Sequence, residues 1–321
     1  MLSRNIKWDF HRIPAPPPSP AFLDTEERFR YSTSERTSTD QGEILMITVD
    51  ESKCIGCGTC AADCAIFTIR VIDGKASPGK WCLECGHCTA VCEQKAITLL
   101  GDYDPSEIVE CDDPRKFEIS PDHLLNLVKF RRSIRQFTDE PVSDSDIHKI
   151  LEMGRYAQTG ANQQNLRYIV LTRDTLREIT PIALKALVEL DVTKVDKKAM
   201  RVPYQYLGFQ KTWEQWYGVY QKTKRDLLFH DAPNALLVVS RTCNEFDGCF
   251  NIGHMELMVN ALGLGACMMG FGTFAFDISR ELKERVGIQE GEAVIIMMVF
   301  GHPKVQYLRT VNRKKVRYVK I

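Results

Sequence analysis

Apolar positions recur at helical spacing from about residue 120 onward. Ser120-Pro121 supplies an N-cap and a proline at the first helical position, and Leu124, Leu125 and Val128 follow on one face. A second helix is predicted from Ser143, with Asp146 three residues on, apolar Ile147, Ile150 and Leu151, and a stop at Gly154. Strand-like runs follow at Tyr168 to Thr172, Leu236 to Ser240 and Val294 to Gly301. Between the last two lies a helix carrying Ile252, Met255, Met258, Val259 and Leu262, which breaks at Gly263. Phe209, Trp213, Trp216, Tyr217 and Tyr220 keep helical spacing too, as a core stripe, a subunit contact or a lid over a ligand. Helices alternate with strands, so residues 121–321 are expected to form an α+β or α/β domain. Residues 1–43 have no such rhythm. Ala15-Pro-Pro-Pro-Ser-Pro20 is of polyproline type, and Tyr31 to Gln41 is rich in Ser, Thr and charge, so the segment reads as an extended arm with Trp8, Phe10, Phe22 and Phe29 as anchors. Residues 105–120, acidic and broken by Pro105 and Pro114, read as a linker.

Composition narrows the class. The chain has 321 residues, with Lys+Arg and Asp+Glu equal at 42 each. That balance provides no global basic field for nucleic acid or an anionic membrane. No apolar run reaches the roughly 18 residues of a membrane span. The expected setting is cytoplasmic. The alternative is an anaerobic organelle matrix, with Arg4, Lys7 and Arg12 of the arm acting as a presequence.

Residues 44–104 are dominated by cysteine. CIGCGTCAADC places Cys54, Cys57, Cys60 and Cys64, and CLECGHCTAVC places Cys82, Cys85, Cys88 and Cys92, each 28 residues after its counterpart. C-x2-C-x2-C-x3-C used twice is the pattern of a pair of [4Fe-4S] clusters, in which the fourth cysteine of each run serves the other cluster. Zinc and disulfides are the competing readings. Zinc is commonly held by two C-x2-C pairs from separate loops, and close-packed triplets do not suit a disulfide framework. The pattern resembles that of bacterial-type two-cluster ferredoxins. The resemblance implies one cluster on Cys54, Cys57, Cys60 and Cys92 and another on Cys82, Cys85, Cys88 and Cys64. Ala65 and Glu93 stand where that family usually has proline.

A second chemical signal lies between the first two helices of the larger domain. RRSIRQF packs Arg131, Arg132 and Arg135 with Ser133 into a compact anion receptor, although a solvated basic helix end is the ordinary reading of such a cluster alone. AQTGANQQNLRY at Ala157 to Tyr168, FHDAPNALLVVS at Phe229 to Ser240, NIGHMELMVNALGLGACMMGFG and a basic tail with Arg309, Arg313 and Lys314 follow in order. Together these resemble the nitroreductase family of flavoproteins over about residues 121–321. The resemblance implies an FMN-binding α+β sandwich that is an obligate homodimer, preceded here by the small ferredoxin-like domain. It implies that Arg131, Arg132 and Ser133 hold the FMN phosphate and that Arg135 approaches the flavin pyrimidine. Thr159, Gly160 and Asn162 would reach FMN from the other subunit, Met268, Met269 and Gly270 would lie against flavin N5, and Arg313 or Arg309 would add a phosphate contact.

Other residues are read more plainly. Gly263-Leu-Gly265 with Gly270 follows a helix rather than a strand and so does not make a dinucleotide fingerprint. Cys111, Cys243, Cys249 and Cys267 are expected as small buried hydrophobes. His254 is expected to pack, and His87 to face solvent. The combined expectation is an iron-sulfur flavoprotein that takes electrons from NAD(P)H or a donor protein and reduces a nitroaromatic, quinone or enone, with no covalent catalytic residue. The alternatives are an electron relay without a small-molecule substrate, or another FMN reaction on the same fold such as reductive dehalogenation or flavin breakdown.

Overall fold

The computed structural model describes residues 46–196, 198, 200, 203–242 and 245–321. The arm at 1–43, with its aromatic anchors, and Cys243 lie outside the described residues. The chain divides into two compact units, Met1–Cys111 and Asp112–Ile321.

The first unit repeats itself. Strand β1 (Ile47–Val49), helix α1 (Thr59–Asp63) and strand β2 (Ile69–Ile72) are followed by strand β3 (Lys75–Pro78), helix α2 (His87–Ala90) and strand β4 (Ile97–Leu99). The pairing crosses between the halves: β1 lies antiparallel to β4 and β2 to β3. Even the backbone follows the 28-residue repeat. Gly56, Gly58, Phe67 and Asp73 have positive φ, and so do their counterparts Glu84, Gly86, Lys95 and Gly101. Left-handed turns at these points let each loop fold tightly around its cysteines. Ile47, Ile69, Ala76 and Ile97 form the small core, together with buried Cys60 and Cys88.

The second unit is a four-stranded antiparallel sheet between two helical layers. Helices α3 (Pro121–Phe130) and α4 (Asp144–Arg155) precede strand β5 (Arg167–Thr172), then come helices α5 (Arg173–Val188) and α6 (Gln210–Thr223), and strand β6 (Asn234–Ser240). Helix α7 (Glu245–Ala261), strand β7 (Gly265–Met268), helices α8 (Gly270–Ile278) and α9 (Arg280–Arg285) and strand β8 (Ala293–Gly301) complete it. The sheet order is β5-β6-β8-β7. Strand alternation divides the core: Leu237, Val239, Met297 and Val299 face one cluster with α5, α6 and α8, while Leu236, Val238, Met298 and Phe300 face another with α4 and α7.

Several expectations need correction. Gly154 does not end α4, which runs to Arg155. It is instead the point where α7 comes close, since a Cβ there would sit 2.0 Å from Met255 Cε. The α7 stop at Gly263 is a Schellman closure, with Leu264 N–H donating to the Val259 carbonyl and Gly263 N–H to that of Asn260. A strand, β7, follows it within two residues and was not read from the sequence. Trp213 is fully buried in the core, with Trp216, Tyr217 and Tyr220 packed around it, while Phe209 precedes the helix and is exposed. Cys111 and Cys249 are exposed rather than buried, and Cys267 alone of the described three is in the core. Leu124, Leu125 and Val128, expected on a packed face of α3, are exposed within the chain.

Candidate functional site

The Arg131–Thr138 segment is fixed by backbone pairing to the sheet edge. Ile134 N–H donates to the Ala266 carbonyl at 2.8 Å, Ser133 bridges Ala266 in β7, and Phe137 bridges Pro303 beyond β8. Gly265 allows this approach, because a Cβ there would lie 2.3 Å from Ile134 Cγ1. The arginine-bearing segment is thereby held alongside β7.

The three guanidiniums are not equivalent. Arg131 Nη1 donates to Glu256 Oε1 of α7 at 3.0 Å, an ion pair shielded from solvent with side-chain exposures of 28% and 15%. Arg132 Nη1 donates to the Arg131 carbonyl at 2.5 Å, but its Nε and Nη2 are buried with no hydrogen-bond partner. A buried guanidinium with two unmet donors is costly unless an anion completes it. Arg135 stands near two further groups. Its charge bears on the His230 imidazole, which burial and then Arg135 push down to about 4. It bears also on the Cys267 thiol, which burial pushes up. The Ser133 hydroxyl is hydrogen-bonded with that thiol.

Beyond β7, Met269 N–H donates to the Met297 carbonyl at 2.8 Å, and Gly270 opens α8. A Cβ on Gly270 would lie 2.2 Å from Tyr206 Oη, so the Tyr206 ring packs directly against that glycine. Tyr206 itself packs edge-on against Phe271 at 4.7 Å. Arg131, Arg132, Ser133 and Arg135 thus lie along β7, the strand that leads into the Met268-Met269-Gly270 turn. Thr159, Gly160 and Asn162 are tied elsewhere: Gly160 N–H donates to the buried Asp247 at the start of α7 at 3.0 Å. Left-handed Ala161 and Asn162 turn that loop. Arg309 and Arg313 lie on an exposed extended tail. The sequence reading missed Glu256, His230 and Tyr206. Of these, Glu256 and His230 lie in segments that carry the resemblance, and nothing local marked either.

In the first unit the cysteine sulfurs meet backbone amides. Ala76 N–H points to Cys54 Sγ, Thr68 N–H to Cys64 and Ala96 N–H to Cys92, each at 3.3 Å, and Glu84 N–H points to Cys82 at 3.2 Å. Such bonds stabilise thiolates and tune iron-sulfur centres. Burial pushes the Cys60 thiol up to about 11, with Cys57, Cys88 and Cys92 among the neighbouring thiols that act on it. Cys85 and Cys64 act in the same way on Cys82, beneath the larger effect of burial. Among the described residues no three His, Cys, Asp or Glu side chains converge as they would around a single metal ion. A four-iron body is wider than one ion, so the donor set of four half-buried, two buried and two exposed thiols suits clusters at the loop surfaces. His87, exposed, lies 3.2 Å from Asp63 and links α2 to α1. Among the described residues no helix is long and apolar enough to cross a membrane.

The chain belongs to the nitroreductase family, whose model matches residues 128–302. The family match falls on this sandwiched antiparallel sheet and the arginine-rich segment fixed along its edge. A protein of Archaeoglobus fulgidus provisionally named an NADH dehydrogenase/NAD(P)H nitroreductase is 24% identical over 193 residues, spanning 57% of this chain and 87% of its own length. The crystal structure of a Bacteroides fragilis nitroreductase with bound FMN is similar in fold, with a TM-score of 0.50 at 18% identity, covering 61% of this chain and 98% of that one. An FMN-bound nitroreductase from Desulfitobacterium hafniense matches at 23% identity and a TM-score of 0.49, over 63% of this chain and all of that one.

Proposed function

We propose that this nitroreductase-family oxidoreductase binds FMN at the Arg131–Arg135 segment and two [4Fe-4S] clusters in its first unit. Electrons from NAD(P)H or a donor protein would then pass to an organic acceptor such as a nitroaromatic, quinone or enone. The observation that carries the flavin reading is Arg132, whose buried Nε and Nη2 have no partner. Those two donors suit the FMN phosphate bidentately, with Arg131 and the Ser133 hydroxyl beside them. Bound FMN would supply hydride and single-electron chemistry, and the clusters would supply single electrons.

The protein's own residues bind, orient and shield. Arg135 would bring a cation to where negative charge develops on a reduced ring system, and the neutral His230 imidazole near it adds no competing charge. The Met268-Met269-Gly270 turn offers a backbone surface that a planar ring can approach. Thr159, Gly160 and Asn162 would act on the flavin of a second copy. In support of a homodimer, α3 leaves Leu124, Leu125 and Val128 uncovered in the single chain, and Phe246 and Phe250 of α7 are likewise exposed. Cys54, Cys57, Cys60 and Cys92 would hold one cluster and Cys82, Cys85, Cys88 and Cys64 the other. The domain boundaries proposed with this reading are 44–104 for the cluster domain, 105–120 for the linker and 121–321 for the flavin domain.

The test is anaerobic purification followed by counting iron, acid-labile sulfide and FMN per chain. About eight iron, eight sulfide and one FMN are expected. Zinc in place of iron, or no flavin uptake from solution, overturns the proposal.

A further inference from the structure

The stretch that leads into α6 is aromatic, and it is folded onto α8. A turn of 3-10 helix over Tyr204–Phe209, in which Tyr206 N–H donates to the Pro203 carbonyl at 2.9 Å, brings Tyr206 and Phe209 against Phe271. Phe271 gathers four aromatic side chains, with ring centroids at 4.7 Å for Tyr206, 5.2 Å for Phe209, 5.6 Å for Trp213 and 5.8 Å for Trp216. Trp213 is fully buried, Phe271 and Tyr206 are half-buried, and Phe209 is exposed. An aromatic wall therefore runs from the core of the second unit to its surface.

One polar atom interrupts this wall. The Tyr206 hydroxyl lies where a Cβ on residue 270 would be 2.2 Å away, so glycine is what leaves room for it. Among the described residues that hydroxyl makes no hydrogen bond. Phenylalanine would fill the same wall without desolvating an O–H, and tyrosine hydroxyls packed into a protein usually find a partner. A donor left open at this glycine suits a group that arrives from outside the chain. The flavin reading puts the reactive edge of the ring at the Met268-Met269-Gly270 turn. The acceptors it allows, nitroaromatics, quinones and enones, all carry an oxygen on which negative charge gathers as they are reduced. The donors along β7 have other tasks, since Arg131 pairs with Glu256 and the Ser133 hydroxyl meets the Cys267 thiol.

We infer that Tyr206 recognises the acceptor. Its hydroxyl donates a hydrogen bond to the acceptor oxygen, while the rings of Tyr206, Phe209 and Phe271 lie against the flat remainder. The proton stays on the tyrosine, so the contact selects and polarises the acceptor without any further reactant. The inference rests on the flavin reading above and names the residue that separates oxygen-bearing flat acceptors from hydrocarbons of the same shape.

The test measures binding of two probes to the oxidised, FMN-loaded protein, read from the change in flavin absorbance: acetophenone, and α-methylstyrene, which has a methylene group in place of the carbonyl oxygen. Wild type, Tyr206→Phe and Tyr206→Leu are compared. Wild type is expected to bind acetophenone more tightly than α-methylstyrene by a factor of about three to ten, the worth of one neutral hydrogen bond. Tyr206→Phe should abolish this preference by weakening acetophenone alone, with flavin content and melting temperature unchanged. Tyr206→Leu should weaken both probes, because part of the wall is gone. A preference that survives in Tyr206→Phe, or none in the wild type, overturns the inference. So does loss of flavin or a lowered melting temperature in Tyr206→Phe, which would assign the hydroxyl to the cofactor or to the fold. Flavin is counted in every sample. A wild type that takes up no FMN refutes the flavin reading, whereas a loaded wild type that treats the two probes alike refutes this inference only.

Discussion

At the scale of single residues, the adjacent Arg131 and Arg132 have different tasks although nothing in RRS distinguishes them. Arg131 is neutralised by Glu256, and Arg132 has donors left over. Removing Arg132 therefore deletes a ligand contact without breaking any side-chain ion pair. Arg132→Met is expected to weaken FMN binding by roughly 10- to 100-fold, the equivalent of about 1.5–3 kcal/mol for a charge-assisted contact, with the melting temperature of the flavin-free protein unchanged or raised. Arg131→Met is expected to lower that melting temperature, since it leaves the shielded Glu256 carboxylate unpaired. Flavin fluorescence titration and thermal melts of both variants measure the contrast. Equal loss of affinity with equal loss of stability would contradict it. The arginine cluster was legible in the sequence as three guanidiniums within five residues, the composition of the proposed anion receptor. Its internal division of labour was not, because Glu256 lies 125 residues away on another helix and no local pattern points to it.

At the scale of elements, the turn joining α6 to β6 ties buried ionisable groups to the helices. Asp226 Oδ1 accepts from Leu228 and Phe229 N–H at 2.9 and 2.8 Å, and its Oδ2 lies 2.9 Å from Thr180 Oγ1 of α5. The Thr180 hydroxyl is shared between that carboxylate and the Leu176 carbonyl, at 2.7 Å. Burial is the chief cause of the rise of the Asp226 carboxyl to about 6, and the bonds from Phe229 N–H and the Thr180 hydroxyl oppose it. A raised folded value means stability is full below the unfolded value near 4 and is lost as pH rises to about 6. His230, which directly follows Phe229 in the same turn, has the opposite sign. Its folded value of about 4 lies below the unfolded 6.5, so its contribution is full above 6.5 and is lost as pH falls towards 4. The two dependences oppose each other between pH 4 and 6. Urea unfolding is thus expected to give a shallow pH profile for the wild type. Asp226→Asn, whose amide oxygen can still accept from Thr180, should make stability climb with pH in that window, whereas His230→Gln should make it fall, by about 1–3 kcal/mol in each case. Parallel profiles for all three proteins would exclude the balance. In the same way, long helices and alternating strands were legible from period and caps, but the short β7 was not. Four residues directly after a helix stop carry too little pattern, and its existence depends on pairing with β8 and with the Arg131 segment.

At the scale of the whole molecule, the most legible feature was the doubled cysteine run, and what the sequence could not convey was how the two halves interlock. The strands pair crosswise, β1 with β4 and β2 with β3, so the end of each half lies against the start of the other. Cys64 and Cys92 occupy equivalent places after α1 and α2, and their neighbours follow the crossing: Cys92 is among the thiols acting on Cys60, and Cys64 among those acting on Cys82. The proposed ligand sets exchange their fourth cysteine, and paired substitutions separate that case from two self-contained runs. If the sets are exchanged, removing Cys57 and Cys92 together disables one cluster only, and about four iron should remain per chain. Removing Cys57 and Cys64 together disables both, and iron should fall towards zero. Self-contained runs predict the reverse, with about four iron left in the Cys57/Cys64 variant and almost none in the Cys57/Cys92 variant. Iron and sulfide analysis of these two double alanine variants, with FMN content measured in the same samples as a check that the second unit is intact, distinguishes the alternatives directly. Retained flavin with the iron pattern of exchanged ligands would show that the interlocked halves of the first unit share their clusters.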